Sequence, residues 1–139
     1  MNIFLILTFL FFIGSLFGWI LELFFRRFIS SKKWINPGFL VGPYLPLYGF
    51  GICIFYSLSQ INLPGPLVVI IMALAVTLLE YIGGIVFIKG MGVKLWDYSK
   101  EWGNIKGIIC PLYTMLWGIL GAIYYYLINP YVLRIIIMA

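Results

Sequence analysis

LVVIIMALAVTLLEYIGGIVFI, residues 67–88, carries a single acid, Glu80, in an otherwise apolar run of chain. A bilayer hydrocarbon core about 30 Å thick takes about 20 residues of helix to cross, so this stretch reads as a membrane span. Two more runs, 3–25 and 108–128, have the same length and character. A fourth, 39–61, is as long but holds Gly42, Pro43, Pro46, Gly49 and Gly51, so a kink or a partly unwound start is expected there. The fold class that follows is all-α, a polytopic membrane protein of four transmembrane helices forming one domain over residues 1–139. Composition agrees: 64% of the 139 residues are hydrophobic and 9% charged, whereas a soluble domain carries roughly a quarter charged residues.

The first run has no basic residue ahead of it, lacks a small-residue cleavage site and is followed by Arg26 and Arg27, so it is expected to be a retained span and not a leader. Charge then sets orientation. Arg26, Arg27, Lys32 and Lys33 lie in the first loop, and Lys89, Lys94, Lys100 and Lys106 lie in or beside the third. The second loop, INLPGP, has no basic residue, and only Arg134 lies in the tail. The positive-inside rule places loops one and three in the cytoplasm and both termini outside, in a multi-pass protein of the cell membrane. The net charge of +5 therefore points to contact with an anionic leaflet of the lipid bilayer and not to nucleic acid.

Several chemistries drop out. There is no His, which removes His-based triads, imidazole proton shuttles and the usual zinc sites, and no cofactor is expected. Gly90-Met91-Gly92-Val93-Lys94 lacks the ending and the preceding strand of a phosphate loop, so the chain is not itself an ATPase. Cys53 should lie toward the outer side of the second span and Cys110 near the inner end of the fourth, too far apart for a disulfide.

Glu80 is the most informative residue. It precedes Lys89 by nine positions, about 13 Å of helix, which puts it near the bilayer midplane. A carboxylate there costs on the order of 3 kcal/mol on insertion scales and is a functional-site candidate. Ala73, Thr77, Glu80 and Gly84 share one helical face, a small and polar stripe that should meet other helices. Glu80 reads either as a packing residue tying helices together or as a protonatable or cation-binding group, with Tyr48, Tyr81 or Tyr113 as neighbours. Glu22 repeats the arrangement with Ser15 and Gly18, and its spacing to Arg26 suits an i,i+4 ion pair.

The halves resemble each other. Glu22, Trp34-Ile35-Asn36, Gly38 and Pro46-Leu47-Tyr48 are matched in order by Glu80, Trp102-Gly103-Asn104, Gly107 and Pro111-Leu112-Tyr113. Such a repeat would be a parallel two-plus-two arrangement about an axis along the membrane normal. Asn36, Tyr48, Asp97 and Asn104 join the two glutamates as candidate substrate- or ion-binding residues.

Between the last two spans, VKLWDYSKEW (93–102) gathers two of the four acids with two tryptophans and a tyrosine. Read as a short interfacial helix, it puts Leu95, Tyr98 and Trp102 on one face among the headgroups, with Asp97 and Glu101 pairing with Lys94 and Lys100. Read as a docking loop, Trp96, Asp97, Tyr98, Ser99 and Trp102 would meet a partner.

Three pieces together resemble a known family: Gly18-Trp19 with Glu22; Asn36-x-Gly38-Phe39-Leu40-x-Gly42-Pro43-x-x-Pro46-x-Tyr48-Gly49; and Trp96-Asp97-Tyr98-Ser99 with Asn104, Gly107 and Trp117-Gly118. The pattern is similar to that of the CmpB family of ABC-transporter-type proteins, related to the transmembrane protein 229 family. Pro37 and Ile108 stand where that family often has Arg. The resemblance implies a small polytopic membrane protein with a transport role. Three classes of function stay open on the residues: a permease-like transport component, assembling as a homodimer or with another membrane or ATPase subunit; an accessory or scaffold protein docking a partner through its cytoplasmic loops; and an intramembrane enzyme acting on lipid. The third lacks an evident nucleophile and base, so an enzyme is not the expected reading.

Overall fold

The computed structural model describes residues 2–29, 32–34 and 45–139. Its elements are α1 (Ile3–Phe28), α2 (Pro46–Ser59), α3 (Gly65–Met91), α4 (Pro111–Ile123), a π-helical turn (Tyr124–Ile128) and α5 (Asn129–Met138). Among the described residues the architecture is helical throughout, with one isolated β-bridge between Ile105 and Ile109.

Among the described residues three helices are long and apolar enough to cross a membrane: Ile3–Phe28, Gly65–Met91 and the continuous Pro111–Met138, of 26, 27 and 28 residues. At 1.5 Å per residue each reaches about 40 Å, more than a hydrocarbon core requires. The fourth expected span is shorter than its apolar run. α2 has 14 residues, about 21 Å, and starts at Pro46, whose fixed φ and missing N–H suit a first helical turn. Positions 39–44 of that run, with Gly42 and Pro43, lie outside the described residues.

The last span also departs from expectation. Its helix does not stop at 128 but continues to Met138, through Pro130. A proline inside an α-helix lacks the N–H and clashes with the carbonyl four residues back. Here the ladder widens just ahead of it, where the Asn129 N–H reaches the Tyr124 carbonyl and spans one residue more than an α-turn. Such a π-bulge absorbs the proline without ending the helix.

By contacts the chain forms two compact units, Met1–Cys53 and Ile54–Met138. In the first, Gly14 and Gly18 of α1 lie against Ile52 and Tyr48, while Gly49 of α2 lies against Ser15 and Phe11. Small residues on both helices let the backbones approach, the usual means of packing helices in lipid. Leu45, just ahead of α2, donates its N–H to the Ser15 carbonyl at 3.0 Å.

In the second unit α3 packs on α4. Val68, Met72, Ala73, Val76, Glu80 and Gly84 make the buried face of α3, and Trp117 and Gly121 answer from α4. The opposite stripe of α3, Ile70, Leu74, Leu78, Ile82 and Val86, is more than half exposed at every position. An apolar stripe of that length left uncovered would drive a water-soluble protein to aggregate, and it suits a helix side turned to lipid. Both cysteines are free.

Candidate functional site

Glu80 lies midway along α3 and is only 2% exposed. The stripe expected around it is present: Ala73 and Gly84 are buried with it, and the Thr77 hydroxyl meets that of Thr114 on α4 at 2.9 Å. Two donors converge on the carboxyl group. The Trp117 indole Nε1 donates to Oε1 at 2.9 Å, and the Tyr98 hydroxyl donates to Oε2 at 3.0 Å. A carboxyl group taken out of water needs such partners for both its oxygens. One comes from the facing helix and one from the loop that joins the two helices.

Neither Trp117 nor Tyr98 is among the neighbours the sequence suggests for Glu80. Tyr48 belongs to the other carboxylate, Glu22. Tyr113 stacks face to face on Tyr98, rings 4.2 Å apart and 6° from parallel, and so holds the phenol that reaches Glu80. Tyr81 follows Glu80 directly, and its ring lies under the Lys106 ammonium at 6.0 Å. Trp117 enters the sequence reading only through a Trp-Gly pair of the family pattern. An indole N–H inside an apolar span must find an acceptor, which is the signal that could have singled it out.

The loop itself is not a helix. Residues 93–102 are irregular, and Tyr98 turns inward while Trp102 is 85% exposed, so the shared face expected for Leu95, Tyr98 and Trp102 is absent. The cause is internal bonding. Tyr98 N–H donates to the Gly107 carbonyl at 2.8 Å, and Ile105 N–H donates to the Ile109 carbonyl at 2.9 Å. Asn104 works as the loop's staple. Its Nδ2 donates to the carbonyls of Ser99 at 3.2 Å and Glu101 at 2.9 Å, and its Oδ1 accepts from Gly107 N–H at 3.0 Å. Gly103 and Gly107 supply φ of 69° and 68°, a region that side chains disfavour. Trp96 donates its indole N–H to the Ile108 carbonyl at 2.8 Å. Gly84 makes this docking possible, because a Cβ there would collide with Ile108.

Asp97 is exposed on the loop. The Ser99 backbone N–H, 2.9 Å from Oδ1, leads the effects that hold its carboxyl down at about 2, followed by the Ser99 hydroxyl and the Lys94 ammonium. Lys94 pairs with it at 3.2 Å. Glu101, expected to pair with Lys100, makes no ion pair among the described residues.

In the first unit Glu22 accepts from the Tyr48 hydroxyl at 2.8 Å and meets Arg26 at 3.8 Å in the expected i,i+4 pair. Gly18 leaves room for the Tyr48 ring. Asn36 lies outside the described residues. A further polar cluster escaped the sequence reading: buried Asn129, at the π-turn, accepts at Oδ1 from the Tyr124 hydroxyl at 3.2 Å and the Ser59 hydroxyl at 3.1 Å. Among the described residues no group of His, Cys, Asp and Glu is arranged to hold a metal.

These features can be set beside known proteins. The model of a family described as "Putative ABC-transporter type IV" matches residues 9–139. No curated protein and no solved structure matches the chain.

Proposed function

The chain belongs to the CmpB family, and from that premise we infer that it serves as a permease-like membrane subunit of a transport system, presenting its third loop to a partner. The observation that carries the reading is the clasp on Glu80. A carboxylate costing on the order of 3 kcal/mol at membrane depth is spent on fastening a loop, through Tyr98, to the α3–α4 pair. A loop held in one shape meets a partner without a further ordering cost. Trp102, Ser99 and Lys100 are among the groups it turns outward, and an exposed tryptophan is a common anchor of protein interfaces. The chain has no phosphate loop of its own, so the partner that fits the family's description is an ATPase subunit.

The positive charge of the first and third loops supports a cytoplasmic position for this surface, with both termini outside the cell membrane. The three full-length helices among the described residues are too few to enclose a polar pathway, which would belong to an assembly with that partner or with a second copy. A scaffold role is the second reading, favoured by one observation: both oxygens of Glu80 already accept hydrogen bonds, as a packing residue's would.

Mild-detergent purification of the full chain from its own membranes tests the proposal. An ATPase subunit should accompany the wild-type protein and be lost from Trp102→Ala. A partner retained by that variant, or no ATPase at all, would remove the docking role. Solute flux in reconstituted vesicles separates the readings, since the permease reading requires it and the scaffold reading does not, and Glu80→Gln should leave it unchanged if the carboxyl group only fastens the loop. Labelling of Lys100→Cys from the cytoplasm and Asn62→Cys from outside checks the orientation, and the reverse pattern would invert it.

A further inference from the structure

At the C-terminal end of α3 lies a cavity of about 350 Å³ that the clasp does not use. Lys89, Lys94 and Lys106 line it together with Ile85, Ile88 and Ile108. Lys94 is offset by Asp97. Lys89 and Lys106 have no carboxylate within ion-pair distance among the described residues, so the pocket carries about two uncompensated positive charges. The negative end of α3 opposes an anion here with only about half a charge, so the ammonium groups prevail. Lys106 also has a φ of 55°, a conformation uncommon outside glycine and worth explaining where it persists.

Position narrows the ligand. A helix of 27 residues is about 40 Å long and overruns a 30 Å hydrocarbon core, so its last turn lies at the depth of the lipid phosphates. Lysines and isoleucines lining one cavity suit an anion joined to hydrocarbon. We propose that this pocket binds the phosphate group of an anionic phospholipid, with Lys89 and Lys106 as its ligands and the Ile85–Ile88 face against the adjoining acyl chain.

The test is native mass spectrometry of the full chain in detergent, titrated with phosphatidylglycerol and with phosphatidylcholine of matched chains. A lysine at an anionic lipid surface is worth about fivefold in affinity, so the pair predicts a preference for phosphatidylglycerol of about thirtyfold. Lys89→Gln with Lys106→Gln should abolish the preference, while Lys32→Gln with Lys33→Gln, which removes the same charge elsewhere, should keep it. The proposal is overturned if the wild type does not discriminate, if both double variants lose the preference equally, or if the Lys89/Lys106 variant retains it. Displacement of the lipid by millimolar inorganic phosphate would also overturn it, because the ligand would then be the free anion.

Discussion

Removing the acceptor at Glu80 should loosen the loop by an amount that can be worked out from its bonds. Tyr98→Phe deletes one hydrogen bond at 3.0 Å and takes that donor from the buried Oε2 of Glu80. A buried acceptor that loses its partner costs about 1–3 kcal/mol, so opening of the loop should become at least about fivefold more frequent. Glu80→Leu takes away the same bond and also leaves the inward-turned Tyr98 hydroxyl facing a methyl group. Stranding a polar group adds about 1–3 kcal/mol, so opening should rise about thirtyfold or more. Glu80→Gln is the discriminating change. The Trp117 indole can only donate, so it holds the amide oxygen; the amide nitrogen then faces Tyr98, whose hydroxyl can accept. Both bonds survive with one direction reversed, and opening should stay near the wild-type value. The assay is hydrogen exchange of the loop in micelles, read at the amides of Tyr98 and Ile105, which are bonded to Gly107 and Ile109. Exchange in Glu80→Leu within twofold of wild type, or Glu80→Gln as loose as Glu80→Leu, would refute the clasp.

Three other outcomes follow from the packing and the charges. Gly84→Val should destabilise the α3–α4 unit by about 1–3 kcal/mol through collision with Ile108, whereas Gly83→Ala, where an added Cβ meets nothing within 4 Å, should be tolerated; denaturation in mixed micelles compares them. Carboxyl-detected NMR should find Asp97 titrating near 2, so its turn contributes stability above the ordinary value of 3.8 and loses it as pH falls through about 2. Lys94→Ala should raise that midpoint only modestly, because the Ser99 N–H is the larger cause; a return to the ordinary value would reverse that ranking. Asn129→Leu should cost about 1–3 kcal/mol by removing the acceptor of the buried Tyr124 hydroxyl, while Ser59 keeps its bond to the Tyr56 carbonyl at 2.6 Å, and an unchanged denaturation midpoint would contradict the buried network.

What the amino-acid sequence determined by itself is the part written in short-range pattern. Long apolar runs marked three helices that are long enough to span, because hydropathy over about 20 residues is a local sum. The four-residue spacing announced the Glu22–Arg26 pair, and the same periodicity placed Glu80 with Ala73, Thr77 and Gly84 on a buried face. The tertiary structure decided who meets whom. Glu80 bonds residues 18 and 37 positions away in the chain, and no helical period reports on partners so distant. Tyr98 reaches Glu80 because the 93–110 loop folds inward on bonds of its own, from Asn104, Gly103 and Gly107, and Trp117 reaches it from the facing helix. A peptide of that composition reads as an interfacial helix only until those bonds form. The same holds for α5: a proline at 130 signals a helix end locally, and the π-turn ahead of it, where Asn129 anchors Tyr124 and Ser59, carries the helix through.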